Sequence, residues 1–283
     1  MRNIHENSPE HIVPGSSRSA GEKFLPKFFR CDHKQLYALN HCPVAGADRH
    51  EAVLICNATG HEYQSCHRAM RQLAVQLAKS GRHVVRFDYF GTGDSSGEYT
   101  QATLAQWRQD VADAIDECRR FSGLDRVSIV GIRLGATLAA QVASGRDDVE
   151  NLVLYAPVLS GDTILAEWAH ENAEYNRKLN LPHCKEISNE VIGYPLTDVF
   201  RAELISGVML DKPSLSLQRA LIFAENVEGN GMRQTSELLG SRGARITMES
   251  GDVPAIWRQE PMEAIVPFKL LRYIVAWLNE GKR

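Results

Sequence analysis

Along the chain, short apolar runs alternate with amphipathic stretches, and that alternation is the first guide to architecture. AVLICN (52–57), HVVRFDY (83–89), RVSIVG (126–131) and NLVLYAP (151–157) are near-continuous apolar runs of the kind a parallel sheet buries on both faces. Between them, apolar residues recur at three- and four-residue spacing, which predicts helices over about 65–79, 103–121 and from 134 onward. In the second of these, Leu104, Trp107, Val111, Ala114, Ile115 and Cys118 share one face. Gly81 stands where the first helix should stop. Upstream, KFFRCDHKQLYALNHCP has two partly alternating runs around Asp32-His33-Lys34, which predicts an antiparallel hairpin at a sheet edge.

The sheet pattern fades over 159–212, where Trp168, Tyr175, Tyr194 and Phe200 stand among polar residues. It resumes with RALIFAE (219–225), a helix around 232–240, ARITMES (244–250) and a last helix over about 265–279. The succession predicts an α/β fold around a mostly parallel sheet flanked by helices. The core is expected to comprise residues 28–158 and 213–283, with a mostly helical cap over 159–212. Residues 1–27, with their Pro, Gly and Ser, read as a loose leader.

Composition narrows the function classes. A 43% hydrophobic and 24% charged chain of 283 residues is ordinary for a folded protein. Its formal net charge of −3 offers no overall attraction to nucleic acid, so no nucleic-acid partner is expected. No run approaches the roughly 18 apolar residues of a membrane span, and the N-terminus lacks a secretory apolar run. Six cysteines without a CxxC pair fit reduced thiols, hence the cytoplasm. There is no P-loop and no GxGxxG, so no cofactor is expected, and no metal. A homodimer is compatible with this composition.

The chemistry concentrates in RVSIVGIRLGATLAA, which carries a strand into a helix through Gly131-Ile132-Arg133-Leu134-Gly135. Together with NATGHEYQSCHRAMRQLA and HVVRFDYFGTGDSSG, this stretch resembles the α/β-hydrolase superfamily. The likeness is to its serine-aminopeptidase-like S33 branch and the exosortase-system-associated hydrolases in particular. The resemblance implies the α/β-hydrolase fold with a helical cap insertion, and ester, thioester or amide hydrolysis. It places Arg133 where the nucleophilic serine belongs. It assigns the oxyanion donors to the Leu134 N–H and the Asn57-Ala58-Thr59 loop, and the triad acid to Glu225 or Glu228. The histidine position falls on Asp252, and no histidine follows His183. Nucleophile and base are therefore both absent in the family's order, which closes the covalent serine route. On this alignment Arg133 and Asp252 face one another.

Two readings of Arg133 follow. It fills a dead pocket and pairs with Asp252 or another acid, or its planar guanidinium recognises a carboxylate or phosphate. His61, in the loop expected to border the pocket, reads either as a surface histidine or as a relocated base; His170 and His183 are other candidates. Zinc ligation by His61, Cys66 and His67 matches no common spacing. Asp88 and Asp94 suit turn chemistry, Asp94 bonding local backbone, and Cys56 reads as a small buried hydrophobe. Trp168 is a packing residue or part of the pocket roof. Two functions are compatible with these residues. The first is an enzyme acting on a small acyl or anionic substrate by hydrolysis, acyl transfer or a lyase or cyclisation step, with Arg133 binding negative charge. The second is a catalytically silent pseudohydrolase that binds a small ligand or protein partner.

Overall fold

The apolar runs form one eight-stranded sheet. A computed structural model describes residues 23–31, 34–44, 46–179, 189–208, 217–224, 230–241, 243–250 and 254–280. The predicted hairpin is β1 (Phe24–Cys31) and β2 (Lys34–His41), paired antiparallel at the sheet edge. The remaining strands are β3 (Ala52–Cys56), β4 (His83–Phe87), β5 (Val127–Ile132), β6 (Val149–Tyr155), β9 (Arg219–Phe223) and β10 (Arg245–Glu249). Their order is β1-β2-β4-β3-β5-β6-β9-β10, parallel from β4 onward.

The inner strands β3 to β6 and β9 are buried on both faces, as the continuous apolar runs require, whereas β1 and β10 at the edges are largely exposed or half-buried. On β5, Val127 and Ile129 face one core with α2 (Leu104–Ser122) and α3 (Leu134–Ser144). Val130 and Ile132 face the other, with α1 (His61–Lys79) and α7 (Phe268–Asn279). The predicted stripe of α2 from Leu104 to Cys118 is buried throughout. Helix α6 (Asn230–Gly240) follows β9.

Two boundaries differ from the sequence reading. Helix α1 begins at His61, four residues early, because Gly60 (φ 59°, ψ −141°) takes a backbone conformation that starts the helix directly after the β3 loop. His61 and Glu62 are thus helical rather than loop residues. Helix α7 begins at Phe268, after Pro267. The segment between β6 and β9 holds α4 (Gly161–Lys178), α5 (Asp198–Gly207) and, unanticipated, a short hairpin of β7 (Glu190–Val191) and β8 (Tyr194–Pro195).

The turn after β4 reverses one expected role. The Asp88 carboxylate accepts from the Asp94 N–H at 3.1 Å and from the Tyr63 hydroxyl at 2.9 Å, so Asp88 is the acceptor that holds the turn and Asp94 supplies backbone. A Cβ at Gly93 would lie 2.1 Å from that carboxylate. Next to it, Asp110 of α2 accepts from the Phe90 N–H at 2.8 Å and from Gln106 at 2.6 Å.

Burial pushes the Asp110 carboxyl up to about 6 despite these hydrogen bonds. The folded state therefore holds this proton more tightly than the unfolded chain, and stability falls as pH rises from about 4 through about 6. Urea unfolding at pH 4 and pH 7.5 should show wild type losing on the order of 3 kcal/mol relative to Asp110→Asn across that window. An offset between the two proteins that does not change with pH would show that Asp110 titrates normally.

Candidate functional site

Strand β5 ends in a sharp turn into α3, and the turn is fitted to its glycines. A Cβ at Gly131 would lie 2.4 Å from the Ala136 Cα, and one at Gly135 would lie 2.1 Å from the Asn57 carbonyl oxygen. The residue between them, Arg133, has φ 54° and ψ −127°, a region that costs a non-glycine residue about 1–3 kcal/mol. The same close approach brings the Asn57-Ala58-Thr59 loop against the start of α3. Leu134, the first residue of α3, has an N–H without a helical acceptor. All four residues are buried.

The Arg133 side chain is buried and paired with two carboxylates. Its Nε donates to Glu62 Oε1 at 3.0 Å, and its Nη2 donates to Glu167 Oε2 at 2.5 Å. The guanidinium carbon lies 4.7 Å from the centre of the Trp257 ring, a cation–π arrangement. Trp168 donates its indole N–H to the same Glu62 oxygen at 3.1 Å. Burial raises the pKa of Glu62, against the Arg133 charge that lowers it. For Arg133 burial works against the cation, but the two carboxylates outweigh it and hold the pKa above its ordinary value.

The observed partners are among the other acids that the sequence reading left open. Arg133 meets acids from α1 and α4, while Asp252, Glu225 and Glu228 lie outside the described residues. Trp168 is buried, donates to Glu62 and is not among the residues that line the neighbouring cavity.

That cavity, about 750 Å³, is within the range of small-molecule sites. Its walls include His61, Glu167, Glu171, Tyr194, Trp257 and Arg258. His61 Nε2 is 2.9 Å from Glu171 Oε2, and the His61 ring meets Trp168 edge-on. Arg258 Nε lies 3.4 Å from the other Glu171 oxygen, and its Nη2 lies 3.9 Å from Glu167. Exposed His67 instead stacks near Tyr63, and exposed His170 contributes to the cavity wall. His183 lies outside the described residues.

His61, Glu62 and Glu171 offer ligand atoms within 4.8 Å of one another, a donor set that suits a divalent cation. Two guanidiniums already lie on these carboxylates, at 3.0 and 3.4 Å, so the cluster as built suits ion pairing better than a metal. Cys66 is buried beside it, its thiol pKa pushed up by burial first and by Glu62 second.

Sequence reasoning named Arg133 and His61 as candidates but did not bring Glu62, Glu167, Glu171, Trp257 and Arg258 together with them. A signal existed for part of it: Glu167, Glu171 and Glu174 recur at helical spacing around Trp168, an acidic stripe on one face.

Removing Arg133 leaves a fully buried carboxylate uncompensated. Arg133→Met should destabilise the protein by about 3–5 kcal/mol in urea unfolding, and adding Glu62→Leu should recover most of the loss. A single-variant cost below about 1 kcal/mol would mean that the pair is not holding this region together.

Three likenesses bear on the site. Residues 48–186, just under half of the chain, match the family described as Serine aminopeptidase, S33. A stretch of 121 residues is 28% identical to palmitoyl-protein thioesterase ABHD10, mitochondrial, of Homo sapiens, covering 42% of this chain and 38% of that protein. The chain thus spans well under half of that relative's length in the match. Among solved structures, a Pyrococcus furiosus esterase superposes with a TM-score of 0.63 at 17% identity over 96% of each chain. The bottromycin epimerase BotH, in complex with bottromycin A2, superposes at 0.59 and 15% identity, covering 90% of this chain and 99% of its own. An esterase and an epimerase on one architecture leave the reaction open. The chain has the α/β-hydrolase fold, and its residues 48–186 are similar to the serine aminopeptidase S33 family.

Proposed function

We propose that the protein hydrolyses a small acyl ester or thioester without a covalent serine intermediate, with His61 activating water in the cavity. The observation that carries this reading is the His61–Glu171 contact on the cavity wall, a base held by a carboxylate. Water attacks the acyl carbon and passes its proton to the His61 ring nitrogen that Glu171 does not engage. When the tetrahedral intermediate collapses, the departing alkoxide or thiolate takes that proton back. The Leu134 N–H and the Asn57-Ala58-Thr59 loop, expected as oxyanion donors, are buried and are not among the residues that line this cavity, so this route does not draw on them. Arg133, at the position that a nucleophilic serine would hold, supplies positive charge but no nucleophile. The likeness to an esterase and to part of a thioesterase supports the acyl substrate class.

A second reading, a silent binding protein, is favoured by one observation: Nε and Nη2 of Arg133 are already paired with carboxylates. We also assign the protein to the cytoplasm. Cys42, Cys56, Cys66 and Cys118 are free thiols, although the matched human protein is named mitochondrial. Among the described residues no helix is long and apolar enough to cross a membrane.

Steady-state turnover of short acyl esters and thioesters, with a serine-directed phosphonate probe alongside, separates the readings. The enzyme reading expects turnover without labelling, reduced roughly 10²–10⁴-fold in His61→Ala with the fold intact by circular dichroism. Absence of turnover in both proteins favours the binding protein, and probe labelling rejects the non-serine route.

A further inference from the structure

The two carboxylates on Arg133 are not equivalent. Glu62 is fully buried and is tied additionally by the Trp168 N–H, whereas Glu167 is 28% exposed, sits on α4 and forms part of the cavity wall. Arg133 also holds Glu62 through Nε and the Trp257 ring against its face, two contacts that do not involve Glu167 and that fix the guanidinium in place. A second cation, Arg258, lies 3.9 Å from the same Glu167 oxygen, just inside ion-pairing reach and beyond hydrogen-bonding distance. Glu167 therefore has an alternative partner next to the one it holds.

We propose that the outer edge of Arg133 is a subsite for a carboxylate-bearing ligand, and that Glu167 occupies it as an internal stand-in until the ligand displaces it onto Arg258. The inference rests on the cavity being the substrate site. The exchange is carboxylate for carboxylate, so the charge on Arg133 remains matched. The displaced Glu167 gains Arg258 rather than entering the cavity unpaired. A guanidinium fixed by a buried acid and a stacked indole loses little freedom on taking the new partner, which is what makes a preorganised carboxylate site. The ligand class that fits is an acyl acid or an acyl ester carrying a second carboxylate, its chain lying along Trp257 and Tyr194.

The test uses isothermal titration of the full-length chain with hexanoate, with inorganic phosphate as a second probe. Glu167→Gln removes the competing charge and should bind hexanoate at least tenfold more tightly than wild type. Arg258→Gln removes the place to which Glu167 retreats, so it should weaken hexanoate binding about tenfold in the wild-type background and leave it unchanged in the Glu167→Gln background. Equal or weaker binding by Glu167→Gln, or the same loss from Arg258→Gln in both backgrounds, would overturn displacement. Preference for phosphate over hexanoate would overturn the assignment to a carboxylate. Binding is read without turnover, so a catalytically silent chain with tightened hexanoate binding rejects the proposed hydrolysis and keeps this subsite.

Discussion

A guanidinium buried at the sharp turn between β5 and α3 is the constraint on which the site depends. The β5–α3 turn forces its middle residue to a positive φ and aims the side chain beneath the neighbouring segments. With arginine there, a full charge enters the interior, where burial without compensation would cost several kcal/mol. The compensation comes from three separate stretches: Glu62 at the start of α1, Glu167 on α4, and the Trp257 ring in the segment before α7. One side chain thus ties the sheet to the segment that covers it.

That tie also sets where chemistry can occur. The residue at the turn is here paired with internal acids, and polar side chains of α1 and α4 face the cavity beside it. His61 is carried on the first turn of α1 because Gly60 starts that helix at once, and Glu171 reaches it from α4 one turn beyond Glu167. Glu167, Glu171, Arg133 and Arg258 form a chain of alternating charge from the core to the cavity wall. A chain of this sort has an immobile inner end and an exchangeable outer one, since desolvation falls toward the cavity.

The acidic side chains have different work elsewhere. Asp88 and Asp110 are buried, as Glu62 is, yet their partners are backbone N–H groups of the β4 turn and the side chains of Tyr63 and Gln106. They hold the loop that shapes one edge of the sheet. Depth of burial alone does not separate catalytic from structural acids; the partner does.

The sequence by itself determined the architecture, because periodicity is a local property. Continuous apolar runs can be buried only between two helical layers, the stripe from Leu104 to Cys118 can face only one core, and two glycines around residue 133 can serve only a close strand-to-helix turn. It also marked Arg133 as the anomaly and His61 as the histidine worth watching. Tertiary structure alone decided the partners. Glu62, Glu167 and Trp257 are 71, 34 and 124 positions away from Arg133 along the chain, and nothing local announces which acid will neutralise a buried charge. Local pattern is set by the covalent chain, whereas counter-ions are selected by whichever side chains the packed elements bring within a few ångströms, and that selection exists only once the fold has closed.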